Sequence, residues 1–147
     1  MSAAEKDINT ALSVRLAEIQ TAGVPPIAYE NAEYQPQVGT IYLQESFLPN
    51  IKDAVGISHT SADDYEGLYQ VSVMAGRGER RFAAQEQARL VSLHFPRGAE
   101  YTYNGVTVKI TKTSVSQSII ETTSIGSFSG RDNWYQIPVT ISWRAIV

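Results

Sequence analysis

The chain has 147 residues, 43% of them hydrophobic, which excludes an intrinsically disordered protein and allows a sizeable core. Its 15 acidic and 12 basic residues give a net charge of -3, which disfavours general binding to nucleic acid or anionic membranes. With no cysteine, disulfides and thiolate chemistry are excluded; this fits a reducing cytosol without requiring one.

We expect one domain over residues 1–147 that is soluble and unsecreted. The first seven residues lack the apolar core of a signal peptide, and no apolar run approaches the roughly 20 residues that span a bilayer.

The first predicted element is a helix that begins near Ser2 and ends at Gly23. Ser2 and Glu5 have the spacing of a capping box, and Pro25 and Pro26 follow the predicted end. One apolar stripe at spacings of three and four runs along this helix: Ile8, Ala11, Leu12, Leu16 and Ile19.

Two strands are predicted next, over about residues 27–32 and 40–47. Leu43 and Phe47 alternate along the second strand, and Glu45 interrupts their apolar face. Residues 48–64 show no sustained period and are longer than ordinary connections, so we predict a loop that binds a partner or stays mobile.

The middle of the chain predicts a strand over 66–74 followed by a helix over about 79–95. Tyr69, Val71 and Val73 share one face of the strand. The apolar stripe of the helix comprises Ala84, Ala88, Val91 and Phe95, with Leu90 and Leu93 on flanking rows. Pro96 and Gly98 indicate its end.

The last third has the period-two pattern of antiparallel strands. Asn104-Gly105 predicts a type I′ hairpin turn between strands that carry Tyr101, Tyr103 and the alternating residues Val106, Val108 and Ile110. A less regular strand near 114–124 and a flexible tip at 126–132 come before the final strand. The residues sharing one side of that final strand are Tyr135, Ile137, Val139, Ile141, Trp143 and Ala145.

Pro138 lies on the opposite side of the final strand and cannot donate a ladder hydrogen bond. We therefore expect this strand to lie at a sheet edge or to carry a bulge. The order of elements predicts an α+β fold with a mainly antiparallel sheet and two helices packed on one face, whose open edges are completed by neighbouring copies in an oligomer.

A nucleotide-binding turn is the sharpest chemical alternative in the sequence. Gly76-Arg77-Gly78 follows a strand and opens a helix, but Arg81 occupies the position of the third glycine. Arg77, Arg80 and Arg81 at a helix start favour an anion or an acidic partner. A glycine turn followed by a solvated basic end explains the same pattern.

Other candidates for chemistry are weaker. Ser58, His59 and Asp63 or Asp64 supply the residue types of a hydrolytic triad, without any fixed geometry. The acidic run from Asp63 to Glu66 lacks the ligand spacing of a calcium loop and is better explained as a solvated acidic turn. His94 lies near the end of the second predicted helix, where a positively charged side chain complements the helix dipole, and this role explains the residue. We predict no catalytic, metal or cofactor residue.

A stacking platform for single-stranded nucleic acid is another alternative, formed by Tyr101 and Tyr103 beside Lys109 and Lys112. The acidic balance of the chain argues against it. We instead expect these rings to pack across strands or to fill an interface, and Trp143 to lie in the core.

Several phrases in order resemble the tail terminator proteins of long non-contractile tailed bacteriophages, the lambda-type family. They are Arg15-Leu16-Ala17-Glu18-Ile19, Val24-Pro25-Pro26-Ile27-Ala28-Tyr29-Glu30-Asn31, Tyr42-Leu43 before Leu48-Pro49, Gly67-Leu68-Tyr69-Gln70-Val71-Ser72-Val73, and the helix ending in His94-Phe95. The resemblance covers most of the chain.

The resemblance implies a structural virion protein, without a reaction or cofactor, that forms a homohexameric ring on the tail tube. Such a ring stops tube polymerisation at the head-proximal end, binds the tube protein and a head-completion or neck protein, and lets genome DNA only pass through its lumen. Assembly in the host cytoplasm and no membrane contact are expected; another tail or neck component, and more remotely a small hydrolase, are the alternatives. We place contacts in segments 48–64 and 126–132 and at Phe47, Leu48, Arg77, Arg80, Arg81, Phe128 and Arg131.

Overall fold

A computed structural model describes residues 3–21, 25–30, 41–48, 51–54, 63–76, 81–116, 119–122 and 133–146. The helices are α1 (Ala3–Ala17) and α2 (Arg81–His94). The strands are β1 (Ile27–Ala28), β2 (Tyr42–Phe47), β3 (Ile51–Ala54), β4 (Asp63–Gly76), β5 (Glu100–Tyr103), β6 (Val106–Val115), β7 (Ile119–Thr122) and β8 (Asn133–Ile146). Neither helix has the length and apolarity that a membrane span requires.

The strands form one open sheet in the order β1-β2-β4-β8-β6-β5, with β3 paired to β4 and β7 paired to β8. Only the β1–β2 pairing among these is parallel. The longest ladder joins β4 to β8, from Asp64 opposite Ile146 to Gly76 opposite Trp134. The predicted α+β class with a mainly antiparallel sheet is therefore confirmed.

The core lies between one face of this sheet and the two helices. Alternation along β4 and β8 turns Tyr69, Val71, Val139, Ile141 and Trp143 inward, and all are buried. The predicted helix stripes are buried against them: Ile8, Ala11, Leu12 and Leu16 of α1, and Ala84, Ala88 and Val91 of α2 with Phe95 just beyond it. The helical and strand periods read from the sequence are confirmed.

Helix α1 connects strands that lie far apart in the sheet order. The Ser13 hydroxyl donates to Glu45 on β2, near one edge. Two residues later, the Arg15 guanidinium lies 5.0 Å from the ring centroid of Tyr101 on β5, the opposite edge. The sheet therefore curls around α1, and both of its ends pack on the same helix.

The hairpin predicted at Asn104-Gly105 is confirmed. Asn104 has φ 54° and Gly105 has φ 83°, the left-handed conformation that a type I′ turn requires. Tyr103 pairs with Val106 across it. Further along β6, the register against β8 shifts between Ile110 and Lys112, so Thr111 is the extra residue of a β-bulge. The strand predicted near 114–124 is split between the end of β6 and β7.

The prediction that residues 48–64 form an irregular loop is wrong for Ile51–Ala54. These residues form β3, which pairs antiparallel with Asp63–Glu66 at the start of β4. Four residues are too few for a period-two pattern to stand out, and β3 forms because the early extension of β4 provides its partner. The acidic run from Asp63 to Glu66 accordingly lies in a strand, and the prediction of an acidic turn is wrong.

Pro138 does not place its strand at an edge, because β8 lies between β4 on one side and β6 and β7 on the other. The Pro138 carbonyl accepts a hydrogen bond from the Ser116 N–H, 2.9 Å away, so its nitrogen also points toward that side. There β6 ends at Val115 and β7 begins at Ile119. The missing N–H thus coincides with a break in the neighbouring ladder.

Candidate contact surfaces

Two of the predicted contact residues lie at the end of β2 and are anchored to the sheet. The ring centroid of Phe47 lies 4.9 Å from that of Tyr69, and the Phe47 N–H donates to the Glu30 carboxylate at 2.7 Å. The Leu48 N–H donates to the Leu68 carbonyl at 3.1 Å. Both side chains are half-buried, so they offer a fixed surface.

The other predicted contact residues are not described in atomic detail. Arg81 is the first residue of α2, and its side chain lies outside the description. Arg77, Arg80, Phe128 and Arg131 lie outside the described residues altogether, as do segment 126–132 and most of 48–64. These contacts stay predictions.

The residues weighed for hydrolysis or metal binding are only partly described. Asp64 is held by Arg144, whose Nε and second guanidinium nitrogen donate to the two carboxylate oxygens at 2.9 and 2.8 Å. Ser58 and His59 fall outside the described ranges. Within those ranges, no group of three or more His, Asp or Glu side chains is placed to hold a metal.

His94 is not the cation that complements the end of α2. Burial lowers its pKa, although a hydrogen bond to the Arg15 carbonyl acts in the opposite direction. That carbonyl can only accept, so the His94 Nε2 carries the hydrogen. The Arg15 guanidinium supplies the positive charge instead, donating to the His94 carbonyl from Nε at 3.1 Å and from a terminal nitrogen at 3.0 Å.

Glu45 is a buried carboxylate that joins three elements. It is 4% exposed and accepts hydrogen bonds from the Ser13 hydroxyl at 2.8 Å, the Tyr69 hydroxyl at 2.6 Å and the Glu30 N–H at 3.3 Å. Burial, and then the Glu45 charge, raise the pKa of Tyr69 well above its usual value, which keeps its hydroxyl a donor. The residue that interrupts an apolar pattern is thus a polar tie within the core.

The outward side of α2 exposes several large apolar side chains. Phe82 is 79% exposed, Leu93 60% and Leu90 42%. Between them Glu86 and Arg89 form an ion pair with both side chains largely in solvent, which lowers the pKa of Glu86 through the hydrogen bond from Arg89. Large exposed apolar groups on one side of a helix indicate a contact surface.

The sheet face turned away from the helices carries a hollow of about 500 Å³ between β4, β8 and the bulge of β6. Its outward side chains are Glu66, Leu68, Thr111, Ser142 and Arg144. Gly67 and Trp143 point to the core side, so only their main chain reaches this face.

The exposed Phe82 and the sheet hollow were not predicted from the sequence, for different reasons. Phe82 lies directly opposite the stripe of Ala84, Ala88 and Val91, so a helical projection contains the signal, although it does not tell an exposed phenylalanine from one covered by a neighbouring loop. The hollow depends on the pairing of β4 with β8 and on the bulge at Thr111. Neither is visible in local periodicity.

A family model described as phage tail terminator protein matches residues 7–143 of the chain. No curated protein matches the sequence of this chain. One solved structure, whose name states no function, has 20% sequence identity and a TM-score of 0.72, with 98% of this chain and 96% of that chain covered. Identity this low shows a shared fold and nothing about activity.

Proposed function

The chain belongs to the phage tail terminator family, and on that premise we propose that it caps the head-proximal end of the tail tube as a homohexameric ring. The observation that carries this proposal is the family match over residues 7–143, nearly the whole chain. In this role the ring stops polymerisation of the tube protein and offers its other face to a head-completion or neck protein. Genome DNA only passes through the lumen.

Features of the described surface support a role in assembly. Within the described part of the chain, the sheet ends in short edge strands, β1 and β5, and a neighbouring copy completes such edges in the proposed ring. Exposed apolar side chains on α2 add a surface that is costly to leave in water. A ring that ends a polymer must bind the last tube ring with one face while denying an equivalent face to the next tube subunit.

We assign a structural role and no reaction to the protein, because the family is structural. We further propose that its contacts with neighbouring copies, tube and neck involve segments 48–64 and 126–132. The contact residues are Phe47, Leu48, Arg77, Arg80, Arg81, Phe128 and Arg131. The protein assembles in the host cytoplasm and lies at the head-proximal end of the tail.

Electron microscopy of the purified protein, alone and mixed with tail tubes, tests the proposal. We expect sixfold rings, or a sixfold cap at one end of each tube, and tubes that no longer elongate when more tube protein is added. Labelling of intact virions should place the protein directly beneath the capsid. A protein that stays monomeric beside elongating tubes, or that labels another part of the virion, refutes the proposal.

A further inference from the structure

Two surfaces of the same chain lie on opposite sides of the sheet, and each has an apolar centre. The first, the α2 face, is formed by Phe82, Leu90 and Leu93 with the Glu86–Arg89 ion pair between them. Phe82 and Leu93 are eleven residues apart, about three helical turns, so both project from the same side of the helix. The opposite side of α2 is buried against the core, and this face therefore points away from the sheet.

The second surface, the sheet hollow, lies on the uncovered side of β4 and β8. Leu68 is an exposed apolar side chain in its lining, and Ile146, also exposed, lies on the same face two residues beyond Arg144. The hollow of about 500 Å³ is within the roughly 300–1,000 Å³ of pockets that take whole small ligands, so it has room for an aromatic ring.

We propose that the α2 face of one copy seats in the sheet hollow of the next copy, and that this head-to-tail contact builds the ring. The inference rests on the proposed ring and specifies which surfaces form it. When a contact joins two different surfaces on opposite sides of a subunit, a short oligomer has a free α2 face at one end and a free sheet hollow at the other. The same contact therefore adds further copies until the rotation between neighbours closes the ring.

The charges of the two surfaces favour a second copy as the occupant. The α2 face carries one exposed acid and one exposed base, Glu86 and Arg89. The hollow carries the exposed Glu66 beside Arg144, which is bound to Asp64. Each surface thus combines an apolar centre with charged groups. Because Arg144 is bound to Asp64, Glu66 is the acid in excess at the hollow, and in the proposed contact Arg89 of the α2 face pairs with it.

The natural lack of cysteine permits a direct test by cross-linking. The chain carrying Leu93→Cys and Leu68→Cys is assembled, alone or on tail tubes, and treated with a bis-maleimide long enough to span the three helical turns, about 16 Å, that separate Leu93 from Phe82. Because the two positions lie on different surfaces, we expect a denaturing gel to show a ladder of covalent multimers rising to six chains. Leu93→Cys alone should give essentially no ladder, and a strong dimer from it would mean a symmetric α2–α2 contact and overturn the proposal.

The matched control replaces a comparable exposed apolar residue on the other helix, Val14, which is 48% exposed. The chain with Val14→Cys and Leu68→Cys should not form the ladder. Rings by electron microscopy without a ladder from the Leu93 and Leu68 pair would overturn this inference and leave the proposed function standing. Absence of any self-association by the wild-type protein on tubes would refute both.

A second measurement does not depend on cross-linking geometry. Phe82→Ser should weaken self-association about tenfold or more, because large aromatic residues carry a disproportionate share of interface energy. The circular dichroism and thermal midpoint of the monomer should not fall, since the side chain is exposed. Unchanged association in analytical ultracentrifugation would contradict the inference.

Discussion

Arg15 and His94 each bind the main-chain carbonyl of the other. The Arg15 guanidinium donates twice to the His94 carbonyl, at 3.1 and 3.0 Å, and the His94 ring donates to the Arg15 carbonyl. The Tyr101 hydroxyl adds a third donor to the His94 carbonyl at 3.1 Å. The ends of α1 and α2 therefore satisfy one another, which fixes the relative position of the two helices on the sheet.

Replacing Arg15 by leucine should destabilise the monomer by about 1–3 kcal/mol. The change removes two charge-assisted hydrogen bonds to the His94 carbonyl and the contact of the guanidinium with the Tyr101 ring. Arg15→Lys should recover part of the loss, because lysine keeps the charge but not the forked geometry. Urea unfolding followed by circular dichroism measures both variants, and equal midpoints for wild type and Arg15→Leu would refute the role.

The stability of the monomer should depend on pH through His94. Burial lowers the pKa of His94 in the folded state, so the unfolded chain takes up a proton more readily as the pH falls through about 6.5. The free energy of unfolding should then decrease from about pH 7.5 downward and level off below the folded-state pKa. Arg15 opposes protonation of the ring, and Glu18 favours it weakly.

His94→Gln isolates this contribution, because the glutamine amide can still donate to the Arg15 carbonyl but does not titrate. The difference in unfolding free energy between wild type and His94→Gln should favour wild type more at about pH 7.5 than at about pH 5.5. Urea titrations at both pH values give the difference. A difference that is the same at both, or larger at the acidic pH, would contradict the prediction.

The carboxylate of Glu45 should stabilise the fold more than the amide of a glutamine at the same position. In Glu45→Gln the amide nitrogen cannot accept, so facing the Glu30 N–H it leaves that donor unpaired, and facing the two hydroxyls it requires both of them to accept instead of donate. We expect a loss of about 1.5–3 kcal/mol, the range for hydrogen bonds to a charged group. A double-mutant cycle with Tyr69→Phe should show strong coupling, since Tyr69→Phe removes the 2.6 Å bond and Glu45→Gln removes the charge that strengthens it.

Ser13→Ala gives the comparison within the same network. It removes one donor at 2.8 Å and leaves the buried tyrosine bond in place, so its cost should be smaller than that of Tyr69→Phe. Chemical denaturation of the wild type, Glu45→Gln, Tyr69→Phe and their double mutant measures the cycle, and Ser13→Ala is measured in the same way. Additive losses from Glu45→Gln and Tyr69→Phe would mean that the two residues do not act through one another.

The sequence predicts a structural feature correctly where all the residues that determine it lie on one helix, strand or turn. The stripe of α2 and the alternation of β8 specify which side is buried, and the Asn104-Gly105 turn specifies its own geometry. Pro138 shows the limit of such reasoning. Its missing donor is evident from residue type, but the direction of its nitrogen, toward the break between β6 and β7, depends on strands distant in sequence.

The same limit explains Glu45 and β3. A carboxylate in an apolar alternation signals a conflict, and the resolution lies in Ser13 and Tyr69, which come from α1 and β4. Strand β3 exists because β4 begins early enough to pair with it. The contact surfaces follow this rule also: Phe82 is a local signal, whereas the sheet hollow is a product of topology.

Charge reversal at the start of α2 should weaken tube capping while the monomer stays folded. The variant carries Arg77→Glu, Arg80→Glu and Arg81→Glu. We expect these residues to bind an acidic surface of the assembly, because arginine and the free N–H groups of a helix start both favour negative charge. Capping of tail tubes by electron microscopy and circular dichroism of the free variant measure the two halves of the prediction.

Net charge alone is controlled by a variant that reaches the same charge at other sites. Lys6→Glu and Arg97→Glu each change the charge by two, and Thr21→Asp and Asn104→Asp each change it by one, so together they take the chain from -3 to -9, as the first variant does. All four of these side chains are exposed. If the control caps tubes and the first variant does not, the helix start is the contact. Equal loss in both would assign the effect to repulsion between highly charged copies, and undiminished capping by the first variant would mean that this helix start is merely solvated.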